Sequence, residues 1–174
     1  MRARERGRPR LRLLITAAAG AALAGLLLMW PLGPALEIVD RGGVPVFCRR
    51  ADGGQEFVLS FVHSVNRRPV YDTLRVERDH LVIVGSRYDS FGAGMPEAST
   101  TEGTLAIAKD GWMEWTVNRP VSDVTVRVGW VAGHTLTIDG REVRLADLAE
   151  PGAPLTIRVR DLRMLDLFKG RCIP

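Results

Sequence analysis

From Leu36 onward apolar and polar side chains alternate with a period of two, the pattern of strands that bury one face. The alternation predicts strands at 36–39, 44–49, 57–63, 70–77, 81–87, 104–108, 112–117, 124–131, 135–138, 142–145 and 155–159. Asp52-Gly53-Gly54, Lys109-Asp110-Gly111 and Asp139-Gly140 separate several of them and supply the positive-φ residues that hairpins use. No stretch between strands has helical periodicity, which argues against a parallel sheet with crossover helices. The fold class expected is therefore all-β: an antiparallel β-sandwich or barrel-like domain. Past the last strand, Leu162, Leu165 and Phe168 fall at helical intervals, predicting a short amphipathic helix in the tail 161–174, stopped by Gly170.

The pattern is different at the N-terminus. Leu13 to Leu32 is uncharged and rich in Leu and Ala, and about 18–20 helical residues rise about 27–30 Å, close to the hydrocarbon thickness of a bilayer. Six arginines and one glutamate precede it in residues 1–12. Positive charge stays on the cytoplasmic side, so the reading is a basic cytoplasmic tail (1–12), a transmembrane segment (13–32) and an extracytoplasmic β domain (36–160). Two forms of that leader compete. A signal anchor fits the length of the apolar run and Trp30 at its end; a cleavable signal peptide fits the small residues Gly33-Pro34-Ala35. Gly20 with Ala24, and Ala21 with Gly25, stand four apart and offer a close-packing face to another membrane helix, a spacing that an alanine-rich composition also produces by chance.

The arginine tail dominates the charge of the chain. The whole sequence carries a formal +4, but without residues 1–12 it has 18 basic and 19 acidic residues, a net −1. The β domain is thus not basic, which sets nucleic-acid binding aside. Cys48 and Cys172 are the two cysteines. Outside the cytoplasm they can form a disulfide pinning the tail to the start of the domain, or stand as two free thiols.

Two segments stand out chemically. His63 ends the row Phe57, Leu59, Phe61 on one face of a strand and is followed by Ser64 and Val65. Some two dozen residues later comes Ser90-Phe91-Gly92-Ala93-Gly94-Met95-Pro96, where two glycines and a proline allow positive φ, close backbone approach and a rigid exit. A histidine closing an apolar row needs a hydrogen-bond partner, which Ser64, Asn66, Ser90 or the glycine backbone can supply. The same loops could hold an anion, a carboxylate ligand or a partner's peptide, with Arg67, Arg68 and Arg87 nearby in sequence. A serine hydrolase would pair His63 with Ser90 or Asp89 across the fold, because neighbouring Ser64 points to the opposite strand face. His63, His80, His134, Asp89 and Glu97 fall at no known metal-ligand spacing, and the glycine segment lacks the lysine and helix of a phosphate loop, so no metal and no cofactor is implied.

Taken together, Phe61-Val62-His63-Ser64-Val65, Pro69-Val70-Tyr71-Asp72, Ser90 to Pro96, His134-Thr135-Leu136 and Gly140-Arg141-Glu142 resemble a bacterial and archaeal family of unknown function, DUF1850, over roughly 36–162. The family pattern usually places an acidic residue where Asn66 stands, with Asp72 the nearby carboxylate. The resemblance implies small exported proteins encoded beside TAXI-type TRAP transporters. On that basis the expected function is a membrane-anchored extracytoplasmic accessory protein, docking to a TRAP membrane subunit or solute-binding protein. A small-molecule (carboxylate) binding module is the alternative, and a serine/histidine hydrolase the third. The surface expected to carry function comprises His63, Ser64, Asn66, Asp72, Ser90, Phe91, Gly92, Gly94, Met95, Pro96 and His134.

Overall fold

A computed structural model describes residues 8–170 and 172. A single long helix, α1 (Arg8–Leu28), leads into eleven strands: β1 (Pro31–Val39), β2 (Pro45–Arg50), β3 (Glu56–Val62), β4 (Pro69–Val76), β5 (Leu81–Tyr88), β6 (Gly103–Ile107), β7 (Met113–Val121), β8 (Asp123–Arg127), β9 (Thr135–Ile138), β10 (Arg141–Arg144) and β11 (Pro154–Arg163). A 3₁₀ turn at Leu145–Asp147 follows β10, and α2 (Met164–Phe168) follows β11. Every expected strand is present, with ends shifted by a few residues. The basic tail up to Gly7 lies outside the described residues.

The strands form a four-stranded sheet in the order β2-β1-β11-β8 and a seven-stranded sheet in the order β10-β9-β3-β4-β5-β7-β6, all pairs antiparallel. Leu36, Ile38, Leu155, Ile157 and Val159 of the smaller sheet pack against Phe57, Leu59, Leu74, Val76, Leu81, Leu136 and Ile138 of the larger. Two facing sheets around one such core make a sandwich, one of the two architectures expected. A second cluster, Val70, Tyr88 and Met113 with Phe61, Met95, Leu105 and Trp115, contains no residue of the four-stranded sheet. There the inner face of the large sheet is covered instead by the loop that carries Met95.

The first and last strands differ most from the alternation pattern. β1 begins at Pro31, inside the apolar leader, and β11 runs on to Arg163, because the two strands pair from Pro31↔Arg163 to Val39↔Thr156. β2 leaves β1 at Ala35, so the preceding prolines lie where β1 has only β11 as a partner, and Gly33 at φ 109° forms the bulge. The expected tail helix shrinks to five residues because β11 takes Asp161 to Arg163 as strand. Helix and sheet adjoin directly: Met164 N–H donates to Trp30 O at 3.2 Å, and Arg163 Nη1 lies 3.4 Å from Met29 Sδ.

The outer face of β1 is covered by the tail. Cys48 and Cys172 are disulfide-bonded, and they pack with Ala35, Leu162, Leu32 and Leu167. Beside them Glu37 is fully buried, accepting from Arg158 Nε (3.0 Å) and Nη2 (2.8 Å) and from Arg160 Nη1 (3.1 Å). Arg160 also pairs with Asp166 at 2.5 Å, tying α2 to the sheet. Removing one side of a buried ion pair strands the other. Because the Arg158 and Arg160 side chains keep 42% and 26% exposure, the cost is below that of a fully dry pair. Glu37→Ala is expected to destabilise the domain by about 2–3 kcal/mol in denaturant titration, with Glu37→Gln losing less.

Candidate functional site

The larger sheet places a polar pair within its apolar inner face. Cross-strand partners run Leu136, Leu59, Asp72, Ser86 and Trp115 in one row, and Phe61, Val70, Tyr88 and Met113 in the next. Asp72 therefore sits in the row Val70, Asp72, Leu74, Val76 of β4, where alternation alone would place an apolar residue. Ser86 reaches this face only through a register shift between Ile83 and Gly85. Before the shift Leu81 and Ile83 point to the core; after it Ser86 and Tyr88 do. Such a bulge re-aims every side chain that follows.

Around this pair lies a cavity of about 490 Å³. Phe61, Val62, Val70, Tyr88, Ala93, Met95, Pro96 and Ala132 give it apolar walls; His63, Ser64, Asp72, Ser86 and His134 supply its polar groups, with Gly94 at the loop. Of the residues expected to carry function, His63, Ser64, Asp72, Gly94, Met95, Pro96 and His134 converge on it. Asn66, Ser90, Phe91 and Gly92 do not line it and build the loop that closes it. Asn66 Nδ2 donates to the carbonyls of Ser90 (3.2 Å) and Phe91 (3.0 Å), while its Oδ1 accepts from Arg68 N–H (3.1 Å). An amide can do both where a carboxylate could only accept, so Asn66 suits this position as a carboxylate would not.

His63 is held by two backbone contacts at 3.3 Å: Nδ1 accepts from Val65 N–H, and Nε2 faces Ala93 O. Together they set the tautomer with its proton on Nε2. β3 ends one residue earlier than the alternation suggests, at Val62, because His63 turns into a tight loop in which Arg67 adopts φ 58°. The hydrolase arrangement is not assembled. Ser90 Oγ is directed at Phe91 O, and Asp89 is engaged by Arg68. Arg87 in turn pairs with Asp110 and Glu114 and lies over the Trp112 ring. Arg68 and Arg87, nominated above as anion partners, are thus committed elsewhere, and no Arg or Lys lines the cavity. Among the described residues no three His, Cys, Asp or Glu side chains converge to hold a metal ion.

Gly92 fits here for a steric reason. A Cβ at this position would lie 2.9 Å from His63 Cε1, 3.0 Å from Asn66 Nδ2 and 3.1 Å from His63 Nδ1. Gly94 is needed for its backbone instead, at φ 84° with open space around it. Gly92→Ala is expected to push the loop off His63 at a cost of about 1–2 kcal/mol. In nuclear magnetic resonance spectra at fixed pH the His63 imidazole signals should differ from wild type while those of His80 stay in place.

The electrostatics of the cavity are unusual for a structural site. Burial raises the Asp72 carboxyl above the usual carboxylate range, and the 2.5 Å hydrogen bond from Ser86 Oγ offsets only part of that. His134, its ring tilted against that of Phe61 with 5.4 Å between centroids, is pushed down by burial, and its Nδ1 is buried with no hydrogen-bond partner. Ionised Asp72 therefore costs stability at neutral pH. A folded-state value above the unfolded one means that this cost is fully present above the folded value and disappears as pH falls to about 4. Asp72→Asn, which keeps an acceptor for Ser86, is expected to melt at or above the wild-type temperature at pH 7 and to lose that advantage toward pH 4. His134 acts with the opposite sign: its lowered value removes stability as pH falls below about 6.5.

Sequence reasoning missed Ser86, Tyr88, Phe61, Val62, Val70, Ala93 and Ala132 as pocket residues. Phe61 and Val70 look like ordinary core, and Ser86 and Tyr88 fall out of phase with Leu81 and Ile83 until the bulge is known. Gly85, a lone glycine in an apolar run, is the one local signal of that bulge.

Fold and site together define an all-β sandwich domain with a loop-covered pocket, carried behind one membrane-length apolar helix. Residues 57–145, from the start of the pocket's first strand to the 3₁₀ turn, match the family described as Domain of unknown function (DUF1850), and the chain belongs to that family. No curated protein and no solved structure matches it.

Proposed function

We propose that this chain is a membrane-anchored extracytoplasmic accessory protein that holds a small ligand in the His63–Asp72–His134 pocket and works beside a TAXI-type TRAP solute transporter. The observation that carries the ligand-binding part is the cavity itself. The two signature segments, far apart on the chain, meet over about 490 Å³ of apolar wall with a few convergent polar groups, the usual build of a small-molecule site. Ionised Asp72 works against stability, as residues kept for binding commonly do.

Anchoring is supported by α1 and by what lies next to it. Leu11–Leu28 has a mean hydropathy of 2.0 and is not buried by the rest of the chain. Processing at Gly33-Pro34-Ala35 would remove the first half of β1, including its pairs from Pro31↔Arg163 to Ala35↔Arg160 and the fully buried Ala35. Retaining the helix keeps that strand whole.

Docking to a transporter subunit draws on a second observation. Val65, Phe91, Trp130 and Val131 are all exposed, Trp130 at 88%, and each stands one or two residues from a pocket-lining position or beside Gly92. Exposed aromatic and aliphatic side chains gathered on three loops are suited to a partner's surface.

One extraction from the native membrane tests both parts. Full-length tagged protein is purified in mild detergent, and its bound small molecules and co-purifying proteins are identified by mass spectrometry. Ala132→Trp fills the pocket and Trp130→Asp alters the rim. The ligand-binding reading predicts a compound enriched with wild type and lost with Ala132→Trp; no difference between the two overturns it. The docking reading predicts a TRAP membrane subunit or solute-binding protein with wild type and its loss with Trp130→Asp; its absence from the wild-type sample overturns that reading.

A further inference from the structure

We infer that the pocket takes a ligand presenting an ammonium group to Asp72 and an apolar body to Phe61, Val70 and Met95, an inference that rests on the ligand-binding reading above. The charge balance of the cavity leads there. Asp72 is its single carboxylate and no arginine or lysine lines it; of the three arginines near it in sequence, Arg68 and Arg87 are paired outward with Asp89, Asp110 and Glu114, and Arg67 is exposed on its loop without lining the cavity. A carboxylate ligand would enter a pocket with a like charge and no cation, a combination that disfavours binding. An ammonium group instead supplies what the site lacks. Asp72 receives one hydrogen bond, from Ser86 to Oδ1, which leaves Oδ2 to accept from a ligand.

The walls agree with this. The Phe61 and Tyr88 rings line the cavity, and aromatic rings attract a desolvated cation as well as covering an apolar chain. The Tyr88 hydroxyl is already used, donating to Pro96 O at 2.5 Å, so it holds the covering loop in place behind the pocket wall. A cation beside Asp72 would also draw its carboxyl back down. Ligand and proton then compete for one oxygen pair, and affinity should rise with pH across the raised titration of Asp72.

The test uses the full-length protein in detergent and three matched probes at millimolar concentration: phenethylammonium, 3-phenylpropionate and 2-phenylethanol. Thermal shift and calorimetry at pH 7.5 should show stabilisation by the ammonium probe, with the other two without effect. Asp72→Asn, checked as folded by its own melt, should weaken ammonium binding at least tenfold, and wild-type affinity should fall as pH is lowered through the raised titration of Asp72. A shift by the carboxylate in place of the ammonium, or an ammonium shift that survives Asp72→Asn, overturns the assignment and leaves the ligand-binding reading in place. No shift with the ammonium probe also overturns the assignment. The ligand-binding reading is then decided separately, by whether Ala132→Trp changes the compounds that co-purify with the protein.

Discussion

Gly85→Ala is expected to lower the stability of the domain by about 3 kcal/mol or more, about 6–12 °C in melting temperature, and to abolish the pocket in molecules that still fold. A Cβ at Gly85 would drive into the backbone carbonyl of Trp115 on the neighbouring strand. Backbone cannot swing away as a flexible side chain can, and β5 is hemmed in by β4 on one side and β7 on the other. The clash therefore has to be relieved by separating two strands in the middle of the larger sheet. Gly85 also follows directly on the unpaired Val84, the register shift that turns Ser86 and Tyr88 inward. Any relaxation that moves the bulge by one residue would point them away from Asp72 and Pro96. Circular dichroism melts give the first number. Ligand binding by the folded fraction, or the signals of the Asp72 carboxyl, gives the second. A melting temperature within 2 °C of wild type would contradict the steric argument.

Breaking the Cys48–Cys172 disulfide is the second large effect. It joins positions 124 residues apart and so closes almost the entire β domain in one loop. Loop-closure entropy of that size is worth about 4–5 kcal/mol in the unfolded chain, and native disulfides of small exported domains typically contribute about 2–5 kcal/mol. In the folded state the bond holds the tail over Ala35, Leu162 and Leu167, beside the buried Glu37 with its two arginines. The double variant Cys48→Ala with Cys172→Ala, or wild type under reductant, is expected to lose about 3–5 kcal/mol in denaturant titration. The loss should be accompanied by faster amide exchange in β1 and β11. The His63–Asp72 pocket lies in the other sheet and should keep its ligand response below the new melting temperature.

These two positions show where the sequence was readable. Strand periodicity survives into the fold because each strand buries one face, and a face two residues wide is written locally; all eleven strands could be placed from it. The turn glycines and the apolar leader are equally local signals. The site was readable in part: His63 and the Gly94-Met95-Pro96 segment were visible as misplaced polarity or unusual loop chemistry, and Asp72 only through the family motif that contains it. Ser86 and Tyr88 were not, because one inserted residue, Val84 beside Gly85, reverses the inward set. Arg68 and Arg87 looked available to an anion because sequence distance cannot reveal Asp89, Asp110 and Glu114 as their partners.

The sequence by itself determined the fold class, the membrane-length helix, the near-neutral β domain behind a basic tail and the family to which the chain belongs. Alternation, hydropathy and charge are properties of neighbouring residues, and motifs are read in order. Only the tertiary structure decided that the signature segments close one cavity, that Asn66 and Gly92 hold its cover while Asp72 and His134 face inside, and that Cys48 meets Cys172. Each of those depends on strand order and register, which bring together residues tens of positions apart and are fixed by the packing of two whole sheets.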